Sequence, residues 1–544
     1  MLGGGRRVSE RMHKFRALLC SLVAAVVALQ CVYAGDAITE TDAPRPIVLC
    51  SLGTSFTDVV PMFEYGKELK TLGYKIIFLG FQDSLDWAAP YDFDILSAGH
   101  DTVSIEARRD YYAKLSADEW GVQAFAYAKH KYHDQHYEEA MTKVASILNQ
   151  VQPEFMIADM NADLCTDLAT MMRIPLGVSV HYLGYESLGS EKPYLPNTLL
   201  GYPRRMSYLK RFYNCAFLPL EFGYHFLQTQ GLLNNARKRA KVPTTIYPGG
   251  NWRHALRFVN SFSGFEYPQP LDPFARMSGP VLRTVYPPLH TNIDTWLSDR
   301  ASQGQKVLYV SFGPDAILSA IQVTKIVDAI GCAKAYALWD AGSTPLWHFP
   351  TPLPPFIMLI NTEPDEVPQA PITVLNHTAI KGALLDGSSE AMYISLVLGK
   401  PLVAIPFFGV AISNAAKLAD WGAAAVLDKN SFSFSDLCQK LVNLTDTATS
   451  RPFVRMHLLA EYHSRGAAAE VARYIDMVLK TGPVHLVRMD TLQPVTQWFN
   501  IDVYSSVLVV LYWLYRVIVN GVSALRKDKK SEKETTEAED KKTQ

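Results

Sequence analysis

The chain has 544 residues, 52 Lys+Arg against 53 Asp+Glu, a formal net charge of −1 and 48% hydrophobic residues. At about 150 residues per domain that is room for roughly two or three domains, each with its own core. The balanced charge excludes a nucleic-acid surface built on a basic excess, and the absence of CxxC spacing excludes a zinc ribbon.

The first stretch reads as a secretory signal peptide, residues 1–34. Arg6, Arg7, Arg11, Lys14 and Arg16 precede an apolar run from Ala17 to Gln30, and Val32-Tyr33-Ala34 is a small-x-small cleavage site before Gly35. An uncleaved anchor is the alternative, because the apolar run is slightly long. Cys20 and Cys31 fall in this leader, and the remaining Cys are scattered and odd in number, which is no disulfide framework.

A βαβ pattern follows. Ile47 to Leu52 is a buried-strand run, Gly53 to Asp58 a loop, Val60 to Leu72 a helix ending at Gly73, and Lys75 to Leu79 a strand. His130, His133 and His136 share a helical face. Their spacing matches no zinc motif, so a solvated polar face is the reading and no metal site is expected. Glu138 to Leu148 reads as an amphipathic helix, Phe155 to Ala158 as a strand leading into Asp159, Ala162 to Met172 as a helix and Leu176 to Val180 as a strand. Such alternation predicts a parallel sheet covered by helices.

The Pro-rich segment Tyr267 to Thr291 reads as an interdomain linker. A second βα series opens at Val307 to Gly313. It continues through the strand Ala383 to Leu385, a helix from Ser389 to Leu398 capped by Gly399, and the strand Leu402 to Ile405. Two α/β halves with a cleft between them suit a nucleotide-handling enzyme with ligands at the carboxyl ends of the strands. Asn376-His377-Thr378 and Asn443-Leu444-Thr445 are glycosylation sequons, the first expected to be the more buried. Ile501 to Leu525 is long and apolar enough to cross a bilayer, a buried core helix being the alternative. Arg526, Lys527, Lys529 and Lys530 place the following tail in the cytosol. The tail itself reads as too polar to fold.

Several of these segments resemble family 1 UDP-glycosyltransferases of the UDP-glucuronosyltransferase type. Val307 to Gly313 is similar to the strand and loop that open the family's donor half. Gly279-Pro280-Val281-Leu282 and Asp294-Thr295-Trp296-Leu297 resemble its linker. The segment Gly382 to Phe408 (GALLDGSSEAMYISLVLGKPLVAIPFF) aligns without gaps to its donor signature, and Asn414, Gly422 and Ala423 continue the match. His485-Leu486, Trp498 and Ile501-Asp502-Val503 resemble the membrane-proximal end of the animal enzymes. Lys541-Lys542 resembles a dilysine retrieval signal of endoplasmic-reticulum membrane proteins.

The resemblance implies a GT-B fold: an α/β protein of two Rossmann-like domains with a cleft between them, plus a C-terminal transmembrane helix. It divides the chain into the signal peptide, an N-terminal acceptor-binding domain over 35–278, a linker over 279–303 and a C-terminal UDP-sugar-binding domain over 304–455. C-terminal helices and a membrane-proximal segment over 456–500, the span over 501–525 and a cytosolic tail over 526–544 complete it. The implied activity is transfer of a hexosyl or glucuronosyl group from a UDP-sugar co-substrate to a small lipophilic acceptor at the lumenal face of the endoplasmic reticulum. It needs no metal or other cofactor and allows assembly with related glycosyltransferases.

Carried over residue by residue, the donor contacts are Ser311, Gly313, Gln369, Asp386, Gly387, Ser388, Ser389 and Asn414. The chain departs from the family at several of these positions. Asp386 stands where the family has a phosphate-side His, and a carboxylate at about 4 Å from a phosphate charge costs on the order of 4 kcal/mol at an effective dielectric of 20. The ribose-binding Glu aligns with Ile394, for which Glu390 is the substitute four residues earlier. The sugar-binding Asp-Gln pair aligns with Val410 and Ala411. The stacking motif appears as Glu366-Val367-Pro368-Gln369, without its Trp. Of the catalytic pair, Asp159 matches, while the family's base His aligns with Asp58. Asp58 acting as a base beside a second carboxylate, His181 reaching the cleft, and an amine acceptor needing little base help are the alternatives. These joint substitutions support a second reading, a membrane-anchored binding or regulatory subunit.

Overall fold

A computed structural model describes residues 45–52, 55–101, 105–117, 137–183, 194–198, 200–218, 220, 231, 233–244, 255–362, 368–487 and 500–540. The leader, His130, His133, His136, Glu366, Val367, Trp498 and Lys541-Lys542 lie outside the described residues.

Seven short apolar strands form an all-parallel sheet. They are β1 (Ile47–Cys50), β2 (Ile76–Gly80), β3 (Asp94–Ser97), β4 (Phe155–Asp159), β5 (Leu176–Val180), β6 (Leu256–Val259) and β7 (Ala275–Met277). Their order is β3-β2-β1-β4-β5-β6-β7. Six more, β8 (Val307–Ser311), β9 (Tyr336–Asp340), β10 (Ile357–Ile360), β11 (Ile380–Leu385), β12 (Leu402–Ala404) and β13 (Ala425–Val426), form a second parallel sheet ordered β10-β9-β8-β11-β12-β13. Strands buried on both faces read as continuous apolar runs, and β1, β4 and β8 are buried throughout. Each sheet reverses its strand order beside its first strand, at β1/β4 and at β8/β11. That is the point where doubly wound folds bind ligands.

Four findings differ from the sequence expectations. The first helix runs from Phe56 to Thr71, so Asp58 lies in its first turn rather than in a preceding loop. The expected linker contains β7 and ends on a helix, Thr291–Ser302, whose Ile293 and Leu297 join the second core. Cysteines that look scattered in sequence pair as Cys50–Cys165 and Cys332–Cys438, leaving Cys215 free. The apolar segment Val503–Ser523 belongs to a helix, Ile501–Asp540, that continues into the charged tail. Lys, Glu and Ala extend a helix already nucleated by the apolar segment at little cost.

The halves are joined by a loop and by a returning helix. Between β6 and β7 the chain inserts Phe262 and Phe265 into the core of the second half. There the carboxylate of Glu266 meets Lys417 Nζ at 2.8 Å, with side-chain exposures of 1% and 2%. Ser261 Oγ donates to Glu266 Oε1 at 2.7 Å and accepts the Tyr393 hydroxyl at 3.0 Å. In return, the helix Ala467–Thr481 packs Val471, Ile475 and Val478 onto the N-terminal core. Removing one partner of a buried ion pair leaves an uncompensated charge, at a cost of about 3–5 kcal/mol. Glu266→Ala should therefore lower unfolding free energy by about that amount in a denaturant titration. The apolar pair Glu266→Met/Lys417→Met should recover most of the loss.

Candidate active site

A cavity of about 1470 Å³ lies between the two halves. Its N-terminal wall carries Phe56, Val60, Phe81, Trp87, Tyr111 and Tyr112, and its C-terminal wall carries the ends of the second sheet. Lys429 clamps one edge: its Nζ donates to the carbonyls of Ser116 at 3.1 Å and Phe407 at 2.6 Å. Tyr112 stacks on Phe408 beside it.

On the N-terminal side, three elements bring together two carboxylates and an imidazole. Asp159 ends β4 and pairs in register with Ser179 of β5. His181, two residues further, therefore emerges on the same side at the sheet's carboxyl end. His181 Nε2 lies 2.5 Å from Asp159 Oδ2 and 3.8 Å from Asp58 Oδ1. Asp159 is fully buried, and its Oδ1 accepts the Asn161 amide at 2.7 Å. Asp58 and His181 line the cavity, whereas Asp159 stands behind them. Burial pushes the Asp58 carboxyl up; His181 pulls it down and Asp159 adds to the rise.

The donor-side turn is built as a close approach. Ser311 ends β8, and its Oγ accepts the Gly313 amide at 3.3 Å. Gly313 has φ +73°, and a Cβ there would sit 3.5 Å from Asp386 Oδ2. Asp386 accepts the Ser388 amide at 2.9 Å instead of capping from the N-cap position, which Ser388 occupies. Gly387 has φ +86°, and a Cβ there would come within 3.2 Å of the Ala411 carbonyl. Ser388, Ser389 and Glu390 open the helix Ser389–Val397 onto the cavity, where first-turn amides have no intrahelical acceptor. Such a helix start favours anions.

The surrounding charge opposes it. Asp315, Asp340, Asp386 and Glu390 line this wall, and among the described lining residues the guanidinium of Arg283 is the one Lys or Arg group. Burial pushes up the carboxyls of Asp340 and Asp386. Glu390 is pushed up to about 7 by burial, with Asp340 and Asp58 adding to the rise and Arg283 opposing it.

The remaining expected residues divide. Gln369 lines the cavity; its Oε1 accepts the His290 amide at 3.1 Å, and its buried Nε2 has no partner among the described residues. Ile394, Val410 and Ala411 line the same wall without a polar side-chain atom. Asn414 is corrected: it is 1% exposed, is absent from the cavity lining, and donates to the Gly387 carbonyl at 3.1 Å. It braces the turn from behind. Asn376 is exposed, against the expectation of burial, as is Asn443. The sequence reading did not single out Arg283 or Asp340. Asp340 had a signal, the carboxyl end of a strand; Arg283 sits in an irregular linker and had none.

Two parallel sheets, one of seven strands ordered 3-2-1-4-5-6-7 and one of six ordered 3-2-1-4-5-6 within its own half, face one cleft in the arrangement of the GT-B fold. Residues 113–464 match the family described as UDP-glucoronosyl and UDP-glucosyl transferase, and the chain belongs to that family. It is 24% identical over 504 residues to UDP-glycosyltransferase stmC of Aspergillus ustus, covering 82% of this chain and 92% of that one. It is also 24% identical over 377 residues to the 2-hydroxyacylsphingosine 1-beta-galactosyltransferase of Rattus norvegicus, covering 67% of this chain and 66% of that one. The crystal structure of the glycotransferase of kitacinnamycin superposes with a TM-score of 0.56 at 13% identity, over 80% of this chain and 100% of that one. At that identity the likeness concerns the fold alone.

The acidic donor wall generates a prediction. At pH 8, Asp386→Asn should bind UDP-glucose at least about tenfold more tightly than wild type in a calorimetric titration, since a carboxylate near a phosphate costs on the order of kcal/mol. Glu390 takes up a proton as pH falls through about 7, so the wall loses negative charge on acidification. The affinity of wild type for UDP-glucose should therefore rise between pH 8 and pH 6, and Glu390→Gln should flatten that dependence.

Proposed function

We propose that this protein transfers a hexosyl or glucuronosyl group from a UDP-sugar to the hydroxyl of a small lipophilic acceptor, at the lumenal face of the endoplasmic reticulum. The observation that carries the reading is the shared cavity. An aromatic N-terminal wall faces a turn of Ser311, Gly313, Gly387, Ser388 and Ser389 around the start of a helix. The first is suited to an apolar acceptor, the second to a diphosphate. Asp58 and Asp159 belong to the acceptor side of the reaction and Gln369 and Glu390 to the donor side. The rat relative's named acceptor, a hydroxyacylsphingosine, is itself a lipophilic hydroxyl compound.

The lumenal, membrane-bound placement has its own support. Two disulfides suit an oxidising compartment. Both sequon asparagines are exposed. The apolar helix Val503–Ser523 is followed directly by Arg526, Lys527, Lys529 and Lys530. Tyr208, Leu209, Phe212 and Phe217 are exposed beside Lys210 and Arg211, a composition suited to a membrane interface.

A second reading, a degenerate member serving as a membrane-anchored binding or regulatory subunit, is favoured by one observation. The donor wall carries Asp340, Asp386 and Glu390 where a diphosphate must sit, with Ile394, Val410 and Ala411 beside them. Thermal unfolding of the detergent-solubilised protein with UDP, UDP-glucose, UDP-galactose and UDP-glucuronate separates the two. A donor at 100 times its dissociation constant should stabilise by about 2.7 kcal/mol. No shift at millimolar nucleotide would show that the donor site does not work in the isolated protein and would overturn the transferase reading for the chain alone. For topology, Asn376→Gln and Asn443→Gln should each increase electrophoretic mobility of protein made in animal cells, by the loss of one glycan.

A further inference from the structure

We propose that the donor pocket accepts a neutral hexose and excludes a uronic acid, so that the group transferred is hexosyl rather than glucuronosyl. The inference rests on the transferase reading above and names the donor class of that same site. The two kinds of sugar differ at C6, a hydroxymethyl group in one and a carboxylate in the other. A donor therefore brings either one anionic group, its diphosphate, or two.

The cavity provides for one. The amides that start the helix Ser389–Val397 and the positive-φ glycines Gly313 and Gly387 favour an anion at the turn. Among the described residues, eight carboxyl side chains and one guanidinium line the cavity. That guanidinium, of Arg283, is already engaged. Its Nε donates to the Val285 carbonyl at 2.6 Å, and it lies 4.7 Å from the centre of the Phe56 ring. Its charge acts on Glu390 and on Tyr91. A second anion would have to draw Arg283 away from Glu390 and leave that carboxylate uncompensated.

The carboxylates are concentrated where the sugar has to lie. Its anomeric carbon is bonded to the diphosphate and attacked by the acceptor, so the ring occupies the interval between the turn and the acceptor wall. Asp386 is the first residue of the turn, and its Oδ2 is 3.5 Å from the point a Cβ on Gly313 would occupy. Glu390, in the first turn of the following helix, feels the charges of Asp340 in the C-terminal half and of Asp58 in the N-terminal half. It therefore stands in that interval, and it forms no hydrogen bond among the described residues. Asp340 accepts the Gly342 amide at 3.2 Å and the Tyr309 hydroxyl at 3.4 Å.

Hydroxyls of a neutral hexose can donate to carboxylate oxygens, whereas a C6 carboxylate has no proton to give and meets like charge. Ile394, Val410 and Ala411 complete the wall without a side-chain donor. Burial pushes the Glu390 carboxyl up to about 7, which leaves it mostly ionised at pH 8. A carboxyl in its neutral form would bring no positive charge either. One like-charge contact in a partly desolvated cleft is worth roughly tenfold or more in affinity.

The test uses two donor pairs that match in ring stereochemistry and differ at C6. They are UDP-glucose with UDP-glucuronate, and UDP-galactose with UDP-galacturonate. Each is titrated calorimetrically at pH 8 into the full-length, detergent-solubilised protein, as wild type, Asp386→Asn, Glu390→Gln and the double variant. In a pair whose hexose binds, wild type is expected to bind the hexose at least about tenfold more tightly than the uronate. The double variant keeps the shape of the wall and removes two charges, so that ratio should fall at least about threefold. Equal or tighter binding of a uronate by wild type would overturn the proposal and leave the transferase reading standing. A hexose preference that the double variant keeps undiminished would do the same, since exclusion would then be by shape. Should the double variant fail to fold, the single variants carry the same comparison, and the wild-type ratios stand by themselves. Binding of none of the four donors would overturn both readings.

Discussion

The arrangement of the cleft depends on one buried ion pair. Glu266 comes from the connection between the last two strands of the N-terminal sheet, and Lys417 from a helix of the C-terminal half; neither is appreciably exposed. Two desolvated charges tolerate little displacement, because separating them without water to take their place costs several kcal/mol. The pair therefore acts as a register pin between two halves that would otherwise slide. Ser261 and Tyr393 extend the network, and Phe262 and Phe265 pack around it. Lys429 in turn binds the end of the helix Ile105–Ser116 to the second half. With both contacts in place, the carboxyl ends of the two parallel sheets open into the same cavity.

The chemistry of that cavity is set by a competition between backbone and side chain. A helix start and two positive-φ glycines form a turn of the kind that favours an anion. Carboxylates occupy positions around it, and burial moves them toward their neutral forms. On the other side of the cavity, two carboxylates, Asp159 and Asp58, approach His181 Nε2 at 2.5 and 3.8 Å.

The chain's course ties the catalytic halves to its C-terminal end. The helix Ala467–Thr481 returns from the second half to pack on the helix Phe56–Thr71, whose first turn carries Asp58. Cys50–Cys165 links β1 to the helix after β4, next to the strand end that carries Asp159. The N-terminal side of the site is thus fixed by a covalent bridge on one face of its sheet and by a late helix on the other.

By itself the sequence determined the two α/β halves. Apolar runs of strand length alternate with helical periodicity, and burial on both faces admits little else. The apolar C-terminal helix was legible from its length, whereas the turn Asp386 to Ser389 and Asp159 were singled out by the family resemblance, at strand ends that the pattern of apolar runs had located. Strands β3, β6, β7, β9, β10 and β13 were not read: all but the five-residue β9 have two to four residues, which carry too little pattern, and β3 is partly exposed. The disulfides were illegible because 115 and 106 residues separate the partners. Only the tertiary structure decided that Asn414 braces a turn from outside the cavity lining, that Glu266 meets Lys417, and that Asp159 and Asp58 both approach His181 Nε2. In each case the deciding quantity is a distance across the chain. Sequence periodicity encodes which face a residue occupies, but the strand order that brings β4 and β5 side by side, and so Asp159 against His181, is settled by packing.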